Sequence, residues 1–300
     1  MKSYINDVLI IGAGPAGITA AIYLKRAGLL PIILEKSTPG GTLNKTSKIE
    51  NYPGFTETEG TMLAYKMYSQ VMELGIELKI EETIKIEKED NYYKVTTNKG
   101  EYKSKYIILA TGKQPRKLYV EDAIKYENKG ISYCAICDGA LYKGKDVIIV
   151  GGGNSALSAA LYLEKIANKI YIINRSNKLR ADSKEQNEIK KHDNIEVLLN
   201  TKIQSLLSKD EHISGVILDN GKKLNVDGIF VYIGQENTSR YYEPLDLISD
   251  NSGIIVNNYM ETSDNNVYAC GDLISKELYQ IVTATSEGAV AANSIIKKLG

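Results

Sequence analysis

The stretch Val8–Lys36, VLIIGAGPAGITAAIYLKRAGLLPIILEK, determines the fold because it aligns without a gap on Val147–Arg175, VIIVGGGNSALSAALYLEKIANKIYIINR. Each copy contains an apolar strand, a glycine turn, a helix of small residues that ends in Tyr-Leu, and a second apolar strand. This order is typical of a β-α-β unit. Two copies predict two nucleotide-binding units in one chain.

Each copy is closed by a further apolar strand that ends at a glycine, Tyr106–Gly112 in the first and Gly228–Gly234 in the second. Between the opening and closing strands, Asn-Lys-Gly at 98–100 and Asp-Asn-Gly at 219–221 predict hairpins. We therefore expect an α/β protein with two Rossmann-like, three-layer dinucleotide-binding domains, each with a small antiparallel β-meander.

The C-terminal segment has no counterpart in the second copy, and the simplest account is that it completes the first domain. The second domain would then be inserted in the first. The predicted boundaries are 1–113 plus 242–300 for the first domain, which is discontinuous, and 117–241 for the second.

The composition narrows the class of protein. Lysine plus arginine equals aspartate plus glutamate, 37 each, so the net charge gives no support for nucleic acid or an anionic membrane as a partner. Three cysteines in 300 residues do not make a disulfide framework and fit a reducing compartment. No apolar run is long enough to span a membrane, and we expect a cytoplasmic protein.

The first glycine turn, Gly12-x-Gly14-x-x-Gly17, follows a strand and opens a helix, which is the context that a dinucleotide fingerprint requires. Its glycines permit a tight turn and a close approach of pyrophosphate to the helix N-terminus. Glu35, at the end of the next strand, is the carboxylate expected on a ribose hydroxyl.

The second turn, Gly151-x-Gly153-x-x-Ala156, is also an accepted form of the fingerprint. Asn174 stands where Glu35 stands in the first copy, with Arg175 and Arg180 close by. An uncharged residue flanked by arginines favours the 2′-phosphate of NADP. Arginines on a solvated loop are the alternative. Two such sites in one chain suggest a flavin in one unit and a nicotinamide in the other.

Cys134 and Cys137 form a Cys-x-x-Cys pair shortly before the second fingerprint. Two thiols at this spacing can take up two electrons as a disulfide, and the adjacent Asp138 could shuttle a proton. Half of a zinc site is the alternative. Structural zinc needs four ligands, and the remaining Cys and His residues are widely scattered, so we expect no metal.

With these residues in hand, the chain resembles the low-molecular-weight, bacterial-type thioredoxin reductases from end to end. The segments that carry the resemblance are Gly12–Gly17 (GAGPAG), Pro39–Gly41 (PGG), Glu50–Gly54 (ENYPG), Ala110–Gly112 (ATG), Cys134–Gly139 (CAICDG), Gly151–Ala156 (GGGNSA), Cys270–Asp272 (CGD) and Gln280. The most specific of them is the Cys-x-x-Cys-Asp-Gly segment just before the second nucleotide fold.

The resemblance implies a homodimer that carries electrons from NADPH through FAD and the Cys134–Cys137 disulfide to thioredoxin or a thioredoxin-like protein. Cys137 would lie next to the flavin, Cys134 would attack the thioredoxin disulfide, and Asp138 would manage the proton. Since one dithiol cannot face the flavin and a protein partner at once, the resemblance also implies a domain rotation, with hinges near 113–117 and 234–240.

The resemblance also implies which residues bind each cofactor. The residues implied for FAD are Gly12, Gly14, Pro15, Ala16, Gly17, Glu35, Gly41, Asn51, Ala110, Thr111, Gly112, Gly271, Asp272, Gln280 and Ile281. The residues implied for NADPH are Gly151, Gly153, Asn154, Ser155, Ala156, Arg175 and Arg180.

Two departures from the family pattern concern the electron donor. The usual His-Arg-Arg-x-x-x-Arg for the 2′-phosphate is NRSNKLR at 174–180, and Tyr279 replaces the arginine of Tyr-Arg-Gln. Losing one or two charge-assisted contacts of about 1.5–3 kcal/mol each would erase most of an NADPH preference. A thioredoxin reductase-like flavoprotein that uses NADH, reduced ferredoxin or another redoxin acceptor therefore stays open. So does a non-catalytic flavin and dithiol redox sensor.

Overall fold

The computed structural model describes residues 5–46, 49–236 and 240–300. The chain divides into two compact units, Met1–Lys113 with Asn237–Gly300, and Gln114–Glu236. The two crossings between units fall within the predicted hinge segments, of which residues 237–239 lie outside the described residues. The hinge motion and the nucleotide that each unit binds stay predictions.

The first unit begins with a mainly parallel sheet. Its strands are β1 (Ile5–Ile11), β2 (Ile32–Glu35), β3 (Glu77–Ile80), β4 (Thr83–Glu89), β5 (Tyr92–Thr97) and β6 (Glu101–Leu109), and its helices are α1 (Pro15–Arg26) and α2 (Gly60–Glu73). The strand order is β3-β2-β1-β6-β5-β4. Every residue of β2 is buried, which is typical of a parallel strand covered on both faces.

The second unit contains two main sheets. Its strands are β7 (Gln114–Pro115), β8 (Ile131–Ser132), β9 (Asp146–Val150), β10 (Lys169–Asn174), β11 (Ile195–Leu199), β12 (Ile203–Lys209), β13 (His212–Leu218), β14 (Lys223–Leu224), β15 (Gly228–Val231) and β16 (Gln235–Glu236), and its helices are α3 (Ala135–Asp138), α4 (Asn154–Leu163) and α5 (Ser183–Ile189). A parallel sheet has the order β11-β10-β9-β15-β8, and β12-β13-β14 form a separate antiparallel sheet.

The chain then returns to the first unit through β17 (Val267–Ala269) and α6 (Ile281–Leu299). β6 pairs with β1 along one edge, and its other edge is shared between β5 at Glu101–Ser104 and β17 at Ile107–Leu109. The predicted α/β fold with two Rossmann-like domains is confirmed. In the first unit the meander is joined to the parallel sheet through β6, and buried residues of β4 and β5 share one apolar cluster with residues of β1 and β2.

Helix α6 packs closely on helix α1 through small residues. A Cβ built on Gly288 would collide with the backbone carbonyl of Ala16, and both residues are buried. Ala291 and Ala292 continue this small-residue surface and are fully buried. The position of α6 over the start of α1 therefore depends on the absence of a side chain at residue 288.

We predict that Gly288→Ala lowers the midpoint of thermal unfolding. Alanine favours a helix interior over glycine by about 1 kcal/mol, but forced contacts in a packed core cost about 1–3 kcal/mol. The matched control is Gly100→Ala, because no atom lies within 4 Å of a Cβ at Gly100. Gly288→Ala raising the midpoint would contradict the packing argument.

Candidate active site

The first glycine turn brings β1, β6 and α1 into backbone contact. Gly12 has φ +108°, and a Cβ on it would lie 2.5 Å from the carbonyl oxygen of Ala110. A Cβ on Gly17 would collide with the carbonyl of Gly12. Gly14, in contrast, faces open space at the start of α1, whose first turn has neither a side-chain cap nor an acidic residue. The N–H groups of this turn are therefore suited to an anion such as pyrophosphate.

Glu35 lies at the carboxyl end of β2, beside this turn. Its carboxylate is buried and accepts the N–H groups of Ala13 (2.8 Å) and Ser37 (2.9 Å). A carboxylate offers about four acceptor positions, so capacity remains for ribose hydroxyls. Gly41 lies over the turn, and a Cβ built on it would lie 3.4 Å from the Cα of Gly14. These residues fit the adenosine half of a dinucleotide.

Other candidate residues of the first unit are joined by long-range hydrogen bonds. Asn51 donates through its amide to the side-chain oxygen of Gln280 (2.9 Å), which caps the start of α6. The hydroxyls of Thr111 and Tyr241 lie 2.5 Å apart, and burial raises the pKa of Tyr241. The remaining candidates lie at the starts of α1 and α6 and after β6, and they are Pro15, Ala16, Gly112 and Ile281.

A partly buried ion pair supports the turn that carries Asp272. The Gly271 N–H donates to Glu287 Oε2 (2.9 Å), and Lys276 Nζ lies 2.8 Å from both Glu287 oxygens and 3.9 Å from Asp272 Oδ1. Burial raises the pKa of both Asp272 and Glu287, and the Lys276 ammonium counteracts that rise. The pair thus holds Gly271, at φ +75°, against the start of α1.

The second glycine turn repeats the geometry of the first. Gly151 has φ +144°, and a Cβ on it would collide with the carbonyl of Tyr232, which follows β15. Gly153 faces open space, and the first turn of α4 has no acidic residue and no side-chain cap. Ser155 is exposed in this turn, whereas Ala156 is buried against the strand. This turn also fits a pyrophosphate.

Asn174 holds the loop that follows β10. Its amide donates to the carbonyls of Ser176 (3.2 Å) and Lys178 (2.9 Å), and Arg180 N–H donates to the carbonyl of Gly152 (2.6 Å). The side chains of Arg175 and Arg180 are exposed, and neither has an ion-pair partner among the described residues. Two uncompensated cations on a fixed loop fit a phosphate.

Asn154 fixes the far end of the same loop. Its amide nitrogen donates to Asp182 Oδ2 (2.8 Å), and its amide oxygen accepts the Asp182 N–H (2.7 Å). The candidate Asn154 therefore already has both polar atoms engaged within the protein. These two hydrogen bonds dock the loop on the start of α4.

Cys134 and Cys137 form a disulfide that spans the start of α3, with their Cα atoms 5.4 Å apart. The Cys137 N–H donates to Cys134 Sγ (3.2 Å). Cys134 is buried, whereas Cys137 is exposed. Within residues 5–46, 49–236 and 240–300, no group of three or more His, Cys, Asp or Glu residues could hold a metal ion.

Polar groups surround the disulfide segment. Ser132 Oγ lies 2.6 Å from Asp138 Oδ2, and the Tyr232 hydroxyl accepts the N–H of Ala135, between the cysteines (2.9 Å). Burial raises the pKa of Tyr232 and Tyr142, and the Asp138 carboxylate adds to both shifts. Both phenols therefore stay protonated at neutral pH.

The disulfide segment and the second glycine turn lie at the same edge of one sheet. β8, β15 and β9 are parallel neighbours, so their carboxyl ends meet at one edge. Cys134 follows β8 and Gly151 follows β9. The carboxyl edge of a parallel sheet is where such folds bind their ligands.

A model of the pyridine nucleotide-disulphide oxidoreductases matches residues 6–288. The chain belongs to this family. A thioredoxin reductase of Bacillus subtilis is 36% identical over 296 residues, which cover 97% of this chain and 94% of that protein. A solved thioredoxin reductase of Lactococcus lactis is 35% identical, with a TM-score of 0.90, and covers 97% of this chain and 98% of its own. A ferredoxin-flavin thioredoxin reductase of Clostridium acetobutylicum is 30% identical, with a TM-score of 0.56 and 98% coverage of both chains.

The resemblance to bacterial-type thioredoxin reductases is thereby confirmed, and so is the expectation of an oxidoreductase. Membership in the pyridine nucleotide-disulphide oxidoreductases implies a flavin and a pyridine nucleotide. In the part of the chain that the structure describes, no helix is long and apolar enough to cross a membrane. The roles of individual site residues stay predictions.

Several site residues of this oxidoreductase were missed in the sequence. They are Ser132, Tyr232, Tyr241, Lys276 and Glu287. Tyr241 and Glu287 lie far along the chain from the motifs that they contact, so no local pattern marks them. Ser132 lies two residues before Cys134, and its proximity to the cysteine pair was the available signal.

We predict that Glu287→Ala raises the dissociation constant of the flavin about 10- to 100-fold, since a hydrogen bond to a charged group contributes about 1.5–3 kcal/mol. The Gly271 N–H would lose its acceptor, and the partly buried Lys276 would keep only its 3.9 Å contact with Asp272. Titration of the apoprotein with FAD measures the effect. Glu261→Ala is the matched control because Glu261, which lies before β17, also pairs with a lysine of α6, Lys298, at 2.7 Å. Equal effects of the two variants would contradict the proposed support of the Asp272 turn.

Proposed function

We propose that this chain is a thioredoxin reductase that transfers electrons from NADPH through FAD and the Cys134–Cys137 disulfide to oxidised thioredoxin. The observation that carries this proposal is the disulfide at the carboxyl edge of the same parallel sheet as the second glycine turn. A two-electron acceptor and a nucleotide-binding turn are thereby built into one unit. The relatives named as thioredoxin reductases support the same activity.

FAD is assigned to the first unit, predicted as residues 1–113 plus 242–300, and NADPH to residues 117–241. The open space at Gly14, the acceptor capacity of Glu35 and the supported turn at Asp272 are the features that support FAD. Bound FAD would supply the two-electron carrier between the nicotinamide and the disulfide. The protein residues bind and orient it.

The loop at 174–180 supports NADPH as the donor. Arg175 and Arg180 present two cations, and Asn174 brings no negative charge that would repel a 2′-phosphate. The backbone of this loop is fixed by Asn174 and Gly152, so little ordering is needed when a phosphate binds.

A second candidate is a thioredoxin reductase-like enzyme with NADH or reduced ferredoxin as donor, or with another redoxin as acceptor. Two positions of the family's phosphate motif have lost their usual residues, Asn174 and Ser176. The Asn174 amide is also engaged by loop carbonyls and offers no charge to a ligand. The ferredoxin-flavin relative of Clostridium acetobutylicum gives this candidate a precedent within the same fold.

The hydrogen bond at sulfur supports separate roles for the two cysteines. Once the disulfide is reduced, the Cys137 N–H would stabilise a thiolate on Cys134, which favours Cys134 as the nucleophile toward thioredoxin. Cys137 would then be the partner of the flavin. Cys137 is the more exposed residue here, so the role of Cys134 requires that its sulfur become accessible after reduction. A homodimer, a cytoplasmic location and a domain rotation complete the proposal.

The donor can be tested by anaerobic rapid mixing of the oxidised, flavin-loaded protein with NADPH or NADH while flavin absorbance is followed. We expect fast bleaching by NADPH. We also expect Arg175→Ala and Arg180→Ala each to weaken NADPH binding about 10- to 100-fold through loss of a charged hydrogen bond, with NADH unaffected. Lys222→Ala, on an exposed hairpin of the same unit, is the control.

Equal or preferred reduction by NADH would favour the second candidate over NADPH. If neither nucleotide bleaches the flavin while dithionite does, the donor is a protein such as reduced ferredoxin. The three results therefore distinguish an NADPH-specific enzyme, an enzyme that also or preferentially uses NADH, and an enzyme with a protein donor.

The cysteine roles can be tested by trapping. We expect Cys137→Ser to retain flavin, to lose all turnover and to form a stable mixed disulfide with thioredoxin through Cys134. Cys134→Ser should form no such adduct, since the remaining cysteine would face the flavin. Mass spectrometry of the non-reduced protein measures both. Turnover by Cys137→Ser would overturn the mechanism, and an adduct on Cys137 alone would exchange the two roles.

A further inference from the structure

Ser132 connects the cysteine pair to the adjacent acid. It is the last residue of β8 and is 5% exposed. Its hydroxyl accepts the N–H of Cys134 (3.0 Å) and lies 2.6 Å from Asp138 Oδ2. The carbonyl oxygen of Cys134 lies 3.3 Å from Ser132 Oγ. One buried hydroxyl is thus within hydrogen-bond distance of three polar groups of the disulfide segment.

The hydrogen-bonding capacity of Ser132 matches both protonation states of Asp138. A hydroxyl has one proton to donate and two acceptor lone pairs. With Asp138 ionised, the Ser132 hydroxyl donates to Oδ2. With Asp138 protonated, the acid donates to Ser132, which still accepts the Cys134 N–H and turns its own proton to the Cys134 carbonyl. Neither state leaves a buried polar group of this network without a partner, which would cost free energy.

We propose that Ser132 is a positioning residue that holds Asp138 at the dithiol while the acid gains and loses a proton. This inference rests on the proposed function. In it, the Cys134 thiolate attacks the acceptor disulfide, and the departing acceptor sulfur takes a proton from Asp138. Asp138 then removes the proton of Cys137, whose sulfur attacks Cys134. The mixed disulfide breaks, and the second acceptor sulfur leaves with the bonding electron pair and that proton.

This sequence balances, because the enzyme dithiol becomes a disulfide and the acceptor disulfide becomes a dithiol. Asp138 ends ionised beside the disulfide, in agreement with a Ser132 hydroxyl that donates to it at 2.6 Å. The acid loses, regains and again loses a proton in each exchange. A neighbouring group that can hydrogen-bond to both the ionised and the protonated acid is therefore needed throughout.

The other groups that face Asp138 do not take this role. Tyr142 and Tyr232 lie near it, and burial raises the pKa of both, with Asp227 also raising that of Tyr142. Both phenols therefore stay protonated at neutral pH. The Tyr232 oxygen also accepts the Ala135 N–H. In the described part of the chain, Ser132 supplies the side-chain hydrogen bond to the Asp138 carboxylate.

The test uses the flavin-loaded protein, reduced with dithiothreitol, desalted and mixed anaerobically with oxidised thioredoxin. A parallel series uses a small aromatic disulfide, Ellman's reagent. We expect Ser132→Ala to slow the exchange about 10- to 100-fold, the loss of one hydrogen bond to a charged group. Its pH profile should move to higher pH, since ionised Asp138 loses a donor. Ser132→Thr, which keeps the hydroxyl, should restore both rate and profile.

A double-mutant cycle separates positioning from general damage. Because Ser132 acts through Asp138, Ser132→Ala combined with Asp138→Asn should be no slower than Asp138→Asn alone. The matched control is Thr201→Val, which removes another buried hydroxyl of the same unit, one that donates to the carbonyl of Leu199 at 2.8 Å. It should leave the rate and its pH profile unchanged.

Additive losses in the double variant, an unshifted pH profile, or an equal loss in Thr201→Val would overturn the inference. The two disulfide series distinguish its failure from failure of the proposed function. If the unmodified dithiol reduces the aromatic disulfide but not thioredoxin, the proposed function is wrong. The Ser132 inference is then decided by the aromatic series, which reports the removal of the Cys137 proton by Asp138, since the aromatic thiolate leaves without a proton.

Discussion

The close approach of two backbones at each glycine turn is the constraint on which both units depend. A Cβ on Gly12 would lie 2.5 Å from the carbonyl of Ala110, and a Cβ on Gly151 would collide with that of Tyr232. In each unit that carbonyl follows the strand that closes the β-α-β repeat. The contact therefore locks the opening strand, the closing strand and the helix N-terminus together, and it leaves the helix N–H groups facing open space at the carboxyl edge of the sheet.

In the second unit the same contact extends to the disulfide through Tyr232. The carbonyl of this residue packs on Gly151, while its hydroxyl holds the N–H of Ala135 between the two cysteines. The nucleotide turn and the redox segment are thus positioned by opposite ends of one partly buried residue, Tyr232. A shift of β15 would displace both together, which keeps the distance between them constant within the unit.

Much of this arrangement could be predicted from the sequence, because the signals are local. The repeat, both glycine turns, the hairpins at 98–100 and 219–221 and the Cys-x-x-Cys pair each depend on a few consecutive residues. The support of these motifs could not be predicted in the same way. Glu287 meets Gly271 only because α6 is placed on α1, and Tyr232 meets Ala135 only because β15 neighbours β8.

Asn174 illustrates the limit of reading a motif by charge alone. Its position in the repeat indicated a neutral substitute for Glu35, yet the two side chains form hydrogen bonds in opposite directions. Glu35 accepts backbone N–H groups, whereas the Asn174 amide donates to two loop carbonyls, which a carboxylate would repel. The loop bearing Arg175 and Arg180 is therefore folded before any nucleotide arrives. A preformed pair of cations loses less conformational entropy on binding, so a preference for a 2′-phosphate can survive the loss of two contacts from the family motif.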